Sequence, residues 1–500
     1  MRVNNRTVTA LLLLTTSIGL GACTGGAFKS PALDMAPSRL EGARLETSGG
    51  LGGSGVVRSG AHDAGYFRHL VDKGILPTPD EITVEGVFAE HNTHLPSPHA
   101  DRAITLHPLL GVSIDPIDHA PAAILQLGMN SHIDFSGLPR LPVNLAVVLD
   151  KSGSMNDDQK MTYVKEGLKL MLDSLGPQDT LSIVAYDSRA HLIMPPTPVR
   201  QPRLIAAIID SIYPSGATNI HDGLLLGYQQ LLERYDDRAV NRLMLLSDGV
   251  PTTGPTEIES IVAASDAFDR YNIGVSTIGV GTDFNHELML QLARQGGGNF
   301  YFLQDAQRIT TVFRDELETT LTPVAEDLTL TLEFDPQVRM IAAHGLPLAL
   351  NRQGDPEIHI PTLYLSRRNG VMLVELDLGD LLDYEGPAHL GDAVLEYTFT
   401  DTGRRERHRY PIHMPEASST LHGHRVFFEH AAVRKNFDLL MTVFGLQDAC
   451  QAWQDNDPHA ARAILQHLEA HLAAEAHDLE DAGLHKELAT VRRLRSAAGR

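Results

Sequence analysis

Residues 149–155 read LDKSGSM. A carboxylate, Asp150, ends the apolar run LAVVL, and two hydroxyls, Ser152 and Ser154, flank Gly153. Aspartate, serine and glycine are common turn formers, so a strand-end turn accounts for the stretch by itself. A cation site built from oxygens accounts for it as well. Two further loops carry matching groups. In SGATNIHDGL, Thr218 follows Gly216 and Ala217 and precedes a helical pattern; in LLSDGVPTTG, Asp248 follows the apolar run RLMLLS. Together the loops offer two carboxylates, Asp150 and Asp248, and three hydroxyls, Ser152, Ser154 and Thr218. Such ligands suit Mg²⁺ or another hard divalent cation rather than a thiophilic metal.

The pattern around these loops predicts how they meet. From Val143 to about Leu321, strand-like runs (VNLAVVL, TLSIVAY, RLMLLS, IGVSTIGV, NFYFL) alternate with helical ones (KMTYVKEGLKLMLDSL, RLIAAIIDSI, IHDGLLLGYQQLLERY, EIESIVAASDAFDRY, HELMLQLARQ). A last helix is expected over AQRITTVFRDELETTL. Apolar strands alternating with helices predict an α/β fold, a doubly wound and mainly parallel sheet covered on both faces. Ligands of such sheets bind at the carboxyl ends of the strands. Asp150 and Asp248 both stand at such ends. Gly153 and Gly249 are expected to let their loops turn tightly. Asn219 is expected to hold the Thr218 loop by hydrogen bonds or to cap the following helix. Asp157 and Asp158 are expected to favour the N-terminus of the first helix through its dipole, with added negative potential near the ion as the alternative.

The sequence resembles the von Willebrand factor A domain, whose metal-ion-dependent adhesion site is D-x-S-x-S, then a separate Thr, then a separate Asp. Asp150, Ser152, Ser154, Thr218 and Asp248 match that order. The resemblance implies that these five residues form the metal site, with Asn219 behind them. It implies that the two serines and either the threonine or the second aspartate touch the ion, and that a partner's carboxylate fills an open coordination position. YFRHLVDKGILPTPDEITVEGV resembles the N-terminal extension of bacterial lipoproteins and secreted relatives carrying this domain. VNLAVVLDKSGSM is similar to the A domains of inter-alpha-trypsin inhibitor heavy chains. The likeness runs from residue 66 to about 400.

Outside 143–321 the pattern changes. Residues 61–142 hold a short helix, Tyr66 to Lys73, then strand-like LLGVSID and SHIDFSG. Residues 322–415 return to strands: DLTLTLEFD, IHIPTLYL, VMLVELDL and AVLEYTFTD. Strands on both sides of the α/β unit predict either its insertion into one β-sandwich or two separate β units. If the unit is inserted, a shift of its last helix would change the angle between domains. Residues 422–498 read as helical, with Asp457-Pro458 as an N-cap followed by proline at the first helical position.

The N-terminus, residues 1–22, reads as a lipoprotein signal peptide. Arg2 and Arg6 precede an apolar stretch, and LGAC, Leu20 to Cys23, resembles a lipobox with Cys23 as the lipidated residue; an ordinary signal peptide with a chance cysteine is the alternative. Thr24 after the cysteine resembles sorting to the outer membrane of a Gram-negative bacterium. Residues 23–60 are rich in Gly, Ser, Pro and Ala and read as a flexible tether. Cys23 and Cys450 are the only cysteines, so lipidation would leave Cys450 unpartnered. The net charge of −22 argues against a nucleic-acid partner. No second apolar run reaches 18 residues, so no transmembrane helix is expected in the mature chain.

The histidine pairs His91/His94, His422/His424 and His467/His471 read as solvated, because none has the H-E-x-x-H pattern. There is no P-loop and no G-x-S-x-G. His221 is the one base near the three loops, so an enzyme is not expected. The expected function is a lipid-anchored envelope protein that binds a protein partner through a cation and an acidic residue. Its rivals are an envelope scaffold with an internally satisfied metal and a metal-dependent hydrolase.

Overall fold

The computed structural model describes residues 64–131, 141–303 and 323–498, apart from residues 272, 346–347, 365–370, 385, 401, 417–419 and 422–423, together with Val312. Cys23, the tether, most of SHIDFSG, the expected helix over 306–321 and His422 lie outside the described residues.

Two helices, α1 (Gly65–Asp72) and α2 (Val84–Ala89), lead into two strands, β1 (Thr105–Ile114) and β2 (Pro121–Asn130). The α/β unit follows. Its strands are β3 (Val143–Asp150), β4 (Thr180–Tyr186), β5 (Ala190–Pro198), β6 (Val240–Ser247), β7 (Gly274–Val280) and β8 (Gly297–Leu303). They form one sheet in the order β5-β4-β3-β6-β7-β8. Every pairing is parallel except β4 with β5. All eight residues of β3 and of β6 are buried, as strands covered on both faces require.

Helices α3 (Lys160–Leu172) and α4 (Pro202–Asp210) cover one face; α5 (Ile220–Glu233), α6 (Ile258–Asp266) and α7 (His286–Gln295) cover the other. The chain leaves β3 for β4 on one side and reaches β6 on the other. Strand order thus reverses at β3, and a crevice opens beyond its carboxyl end. Asp150 stands at that point.

Edge strand β5 departs from the sequence expectation, which placed no strand there. Pro195 and Pro196 give up two ladder donors, which an edge strand tolerates and a central one does not. The helix-dipole role expected of Asp157 and Asp158 is also corrected. Asp158 and Gln159 are both left-handed, with φ of 47° and 58°, and α3 starts after them with no acidic residue in its first turn.

Residues 323–414 supply β9 (Pro323–Phe334), β10 (Arg339–His344), β11 (Ala349–Leu350), β12 (Pro356–Tyr364), β13 (Val371–Asp377), β14 (Ala388–Phe399) and β15 (Arg404–Met414). One sheet runs β11-β12-β9-β14-β15. The other runs β10-β13-β2-β1 and ends on Phe427–Phe428. β13 pairs antiparallel with β2, Val374 opposite Leu125, although the whole α/β unit lies between them in sequence. The two sheets share one core, in which Leu110, Leu125, Leu328, Val374 and Leu395 are fully buried. The α/β unit is therefore inserted into a sandwich.

Three helices end the chain: α8 (Ala431–Gln454), α9 (Pro458–Asp478) and α10 (Ala482–Ala497). The Asp457 side chain accepts a hydrogen bond from Ala460 N at 2.9 Å, the expected N-cap. The tail is not helical from residue 422, since 424–425 and 427–428 are short strands. These helices pack with α1 and α2 on the outer face of the β1/β2 sheet, burying Phe67, Val87, Ile124 and Phe437.

The expectation of solvated histidines fails for two of the pairs. His91 is buried with Nε2 2.9 Å from Glu487 Oε1, and His471 Nε2 is 2.9 Å from Asp438 Oδ1. Cys450 is buried, and burial pushes its thiol up to about 12.

Candidate metal site

The register of the parallel sheet fixes the floor of the crevice. Asp150 is paired with Tyr186 and Leu149 with Leu246, so Asp150 and Ser247 end adjacent strands side by side. Asp150 Oδ1 accepts from Ser152 N at 2.8 Å, and its Oδ2 accepts from Ser247 Oγ at 2.8 Å. Beneath it the buried Tyr186 donates its hydroxyl to Leu246 O at 3.1 Å. Burial pushes the Asp150 carboxyl up to about 6; the hydrogen bonds from Ser152 and Ser247 oppose this, and Asp248 adds to it.

Asp248 is fully buried. Its Oδ1 accepts from Ser154 Oγ at 2.8 Å, and Ser152 Oγ lies 3.5 Å from the same oxygen. The two serine hydroxyls are 3.1 Å apart. Asp248 Oδ2 accepts from Lys160 Nζ at 2.8 Å. Four of the five expected residues, Asp150, Ser152, Ser154 and Asp248, are thus joined directly.

Thr218 comes from the neighbouring loop. Its N–H donates to Thr252 Oγ1 at 3.0 Å, and its carbonyl accepts from Thr252 N and Thr253 N. Its hydroxyl makes no hydrogen bond among the described residues. A Cβ built on Gly249 would lie 3.8 Å from Thr218 Oγ1 and 3.9 Å from Ser154 Oγ, so those two hydroxyls flank an open space. Ser152 and Thr218 are buried whereas Ser154 is exposed, which leaves the floor covered and the mouth open.

The loops are laced by backbone. Gly153 N donates to Gly216 O at 3.1 Å, Ser215 N to Lys151 O at 2.6 Å, and Asn219 N to Asp187 O at 2.9 Å. Asn219 does both expected jobs. Its Oδ1 accepts from Asp222 N at 3.2 Å and caps α5, while its Nδ2 donates to Ser188 O at 3.4 Å. The glycine expectation shifts. Gly153 and Gly249 are not left-handed; Gly216 (φ 80°) and Gly254 (φ 73°) are. A Cβ on Gly254 would sit 2.5 Å from Asn219 Oδ1, so the backbone needs that glycine to close on the cap.

Sequence reasoning missed Ser247, Tyr186, Asp187 and Lys160. Asp187 directly follows β4, as Asp248 follows β6, the strand-end signal that flagged the site. It bonds to Lys151 Nζ, and its Oδ1 lies 3.1 Å from His191 Nε2. Burial would raise its carboxyl, but the Lys151 and His191 bonds outweigh that and hold it well below the usual range. His221, the one base considered, lies 3.2 Å from Asp222 Oδ1 and is about one-fifth exposed.

The donor set fits a hard cation. It is oxygen throughout, hydroxyl-rich, and built on a buried carboxylate pair. Among the described residues no cluster of three His, Cys, Asp or Glu side chains is disposed to hold a metal. A cation at these loops would therefore depend on the hydroxyls.

Comparison with known proteins agrees with this geometry. A sequence profile of the von Willebrand factor type A domain matches residues 144–315. The inserted unit is a von Willebrand factor type A domain. Uncharacterized protein YfbK of Escherichia coli K12 is 29% identical over 281 residues, 54% of this chain and 48% of that protein. Human inter-alpha-trypsin inhibitor heavy chain H4 is 32% identical over 175 residues, 32% of this chain and 18% of that one. The chain thus spans half or less of the length of these curated relatives.

A solved von Willebrand factor type A protein from Catenulispora acidiphila aligns over 75% of this chain and 87% of its own, with a TM-score of 0.53 and 14% identity. That likeness is one of fold. A domains of this type are protein-interaction modules with a divalent-cation site. Among the described residues no helix is long and apolar enough to cross a membrane.

Proposed function

We propose that the A domain binds a protein partner through a hard divalent cation, Mg²⁺ first, and an acidic residue of that partner. Ser152, Ser154 and Thr218 would hold the ion with Asp150 and Asp248 behind them. The observation that carries this reading is the convergence of Ser152 Oγ and Ser154 Oγ on Asp248 Oδ1 at the open end of a strand-order reversal. The bound cation would supply a Lewis-acidic site for a carboxylate oxygen. The chain's own residues set that chemistry. Asp150 has both oxygens engaged by Ser152 and Ser247, and Asp248 has one held by Lys160, which keeps direct carboxylate donation low. Val250, 49% exposed beside Gly249, gives the rim an apolar contact for the partner.

The lipobox reading of Leu20–Cys23 supports display of this domain on an N-terminal lipid at Cys23, in the cell envelope and at the outer membrane. The test is capture of partners by the full chain from envelope extracts. Capture is expected in Mg²⁺ and is expected to fall at least about tenfold with EDTA or with Asp150→Ala. Capture indifferent to both would overturn metal-bridged binding.

A further inference from the structure

Lys160 is an unexpected residue to find beneath a cation site. It opens helix α3, where the helix dipole disfavours a positive charge, and it is 7% exposed. The chain reaches this arrangement through two successive left-handed residues, Asp158 and Gln159, neither of which is glycine. Its stem then runs past Gly281, whose φ is 74°. A Cβ there would lie 2.9 Å from Lys160 Cε and 3.4 Å from Nζ, so the stem packs closely against a residue that has no side chain. At the end of the stem Lys160 Nζ donates to Asp248 Oδ2 at 2.8 Å, while Asp248 Oδ1 faces Ser152 and Ser154. A left-handed approach, burial and close packing on Gly281 accompany one ammonium placed at the far oxygen of Asp248.

From this geometry we infer that Lys160 is a built-in counter-charge that sets what the loaded site seeks next. Asp150, Asp248 and Lys160 together carry one net negative charge. A divalent cation turns that into one net positive charge, which an anionic ligand then neutralises. Without Lys160 the two carboxylates alone would balance the ion, and the demand for an acidic partner would weaken. Lys160 therefore lowers affinity for the cation and raises affinity of the loaded site for a carboxylate. It is a positioning residue, since it acts through Asp248.

This inference rests on the cation-binding reading above, and one experiment separates the two. Mn²⁺ binding to the full chain is measured by calorimetry. Acetate binding to the Mn²⁺-loaded chain is measured by the paramagnetic relaxation of its methyl protons. Lys160→Met is expected to bind Mn²⁺ at least about tenfold tighter and acetate at least about threefold more weakly, floors set below what one unit charge a few ångströms away imposes at a protein-like dielectric. A merely structural lysine would not move the two affinities in opposite directions. If wild type binds no Mn²⁺, the cation-site reading itself falls. If wild type binds Mn²⁺ and folded Lys160→Met binds it equally or less tightly, the counter-charge inference alone falls.

If Lys160→Met fails to fold, Lys160→Gln, which keeps a donor for Asp248 but no charge, carries the same two expectations. The unmodified protein gives an independent check. With ¹⁵N-labelled lysine, the Lys160 ammonium signal is expected to persist at saturating Mg²⁺. Its loss to solvent exchange on Mg²⁺ addition would mean the charge leaves Asp248, and would overturn the inference.

Discussion

Asp150 has both carboxylate oxygens engaged by its own chain, Oδ1 by Ser152 N and Oδ2 by Ser247 Oγ. It is therefore as much the anchor of the loop as a ligand. Ser247→Ala removes one of these donors from a fully buried carboxylate and is expected to cost about 1–3 kcal/mol, read by urea unfolding. An unchanged midpoint would mean that water replaces the hydroxyl. The residues of this site were unevenly legible in the sequence. Asp150 and Asp248 stood out because each ends an apolar run, and Ser152 and Ser154 because they alternate after one. Asp187 carried the same strand-end signal but lay outside the motif. Lys160 carried none. A lysine at the start of a helical pattern reads as solvated, yet this one is buried on Asp248 behind a left-handed turn that no glycine announces.

The first helix, α1, is held on the A domain by a ring cluster. Tyr66 stacks on His286 at 4.8 Å and meets Phe284 and Phe302 edge-on at 5.3 and 5.5 Å. Burial, with Arg294 adding to it, pulls the His286 imidazole down to about 4. A histidine whose folded pKa is lowered gives stability that is complete above its unfolded value near 6.5. That stability is lost as pH falls towards the folded value. The expected loss by pH 5 is about 2 kcal/mol relative to neutral pH. His286→Phe keeps the stacking and removes the proton site, so comparing the two proteins by thermal unfolding at pH 7 and pH 5 isolates the effect. Equal acid sensitivity would place the titrating group elsewhere.

Strands of this molecule were legible where an unbroken apolar run or a clear alternation marks them, as in β3, β6 and β14, and missed where other residues mask the pattern. β5 was hidden by Pro195 and Pro196. β15 was hidden by Arg405, Arg407 and Arg409, which face outward to pair with Glu396, Glu333 and Asp392. β2 was missed because Gln126 and Gly128 interrupt its apolar run and leave no alternation to see.

Over the whole molecule, two long-range closures tie together chain segments that lie before and after the inserted domain. One is the β2–β13 ladder. The other is Glu487 of α10, fully buried, whose Oε1 accepts from Arg68 Nη2 of α1 at 2.6 Å and lies 2.9 Å from His91 Nε2. Burial would raise the Glu487 carboxyl, but His91 and Arg68 together hold it below its usual range. Glu487→Gln leaves the Arg68 charge without its buried partner and is expected to cost about 3–5 kcal/mol, visible as a large fall in Tm. A fall of a degree or less would mean that Glu90, which also binds Arg68, carries the contact alone. The periodicity of 458–478 marked a helix and its cap but not its docking surface, because an amphipathic stripe says that a face is covered and not by what.

The proposed partner binding depends on the three loops holding a cation, and thermal unfolding of the full chain in EDTA and in Mg²⁺ tests that most directly. At Mg²⁺ about a hundredfold above its dissociation constant, the folded state should gain about 2.7 kcal/mol. Most of that gain should disappear in Ser154→Ala, which deletes one oxygen without leaving a buried charge. A wild-type Tm that is the same in EDTA and in saturating Mg²⁺ would contradict a cation site at these loops.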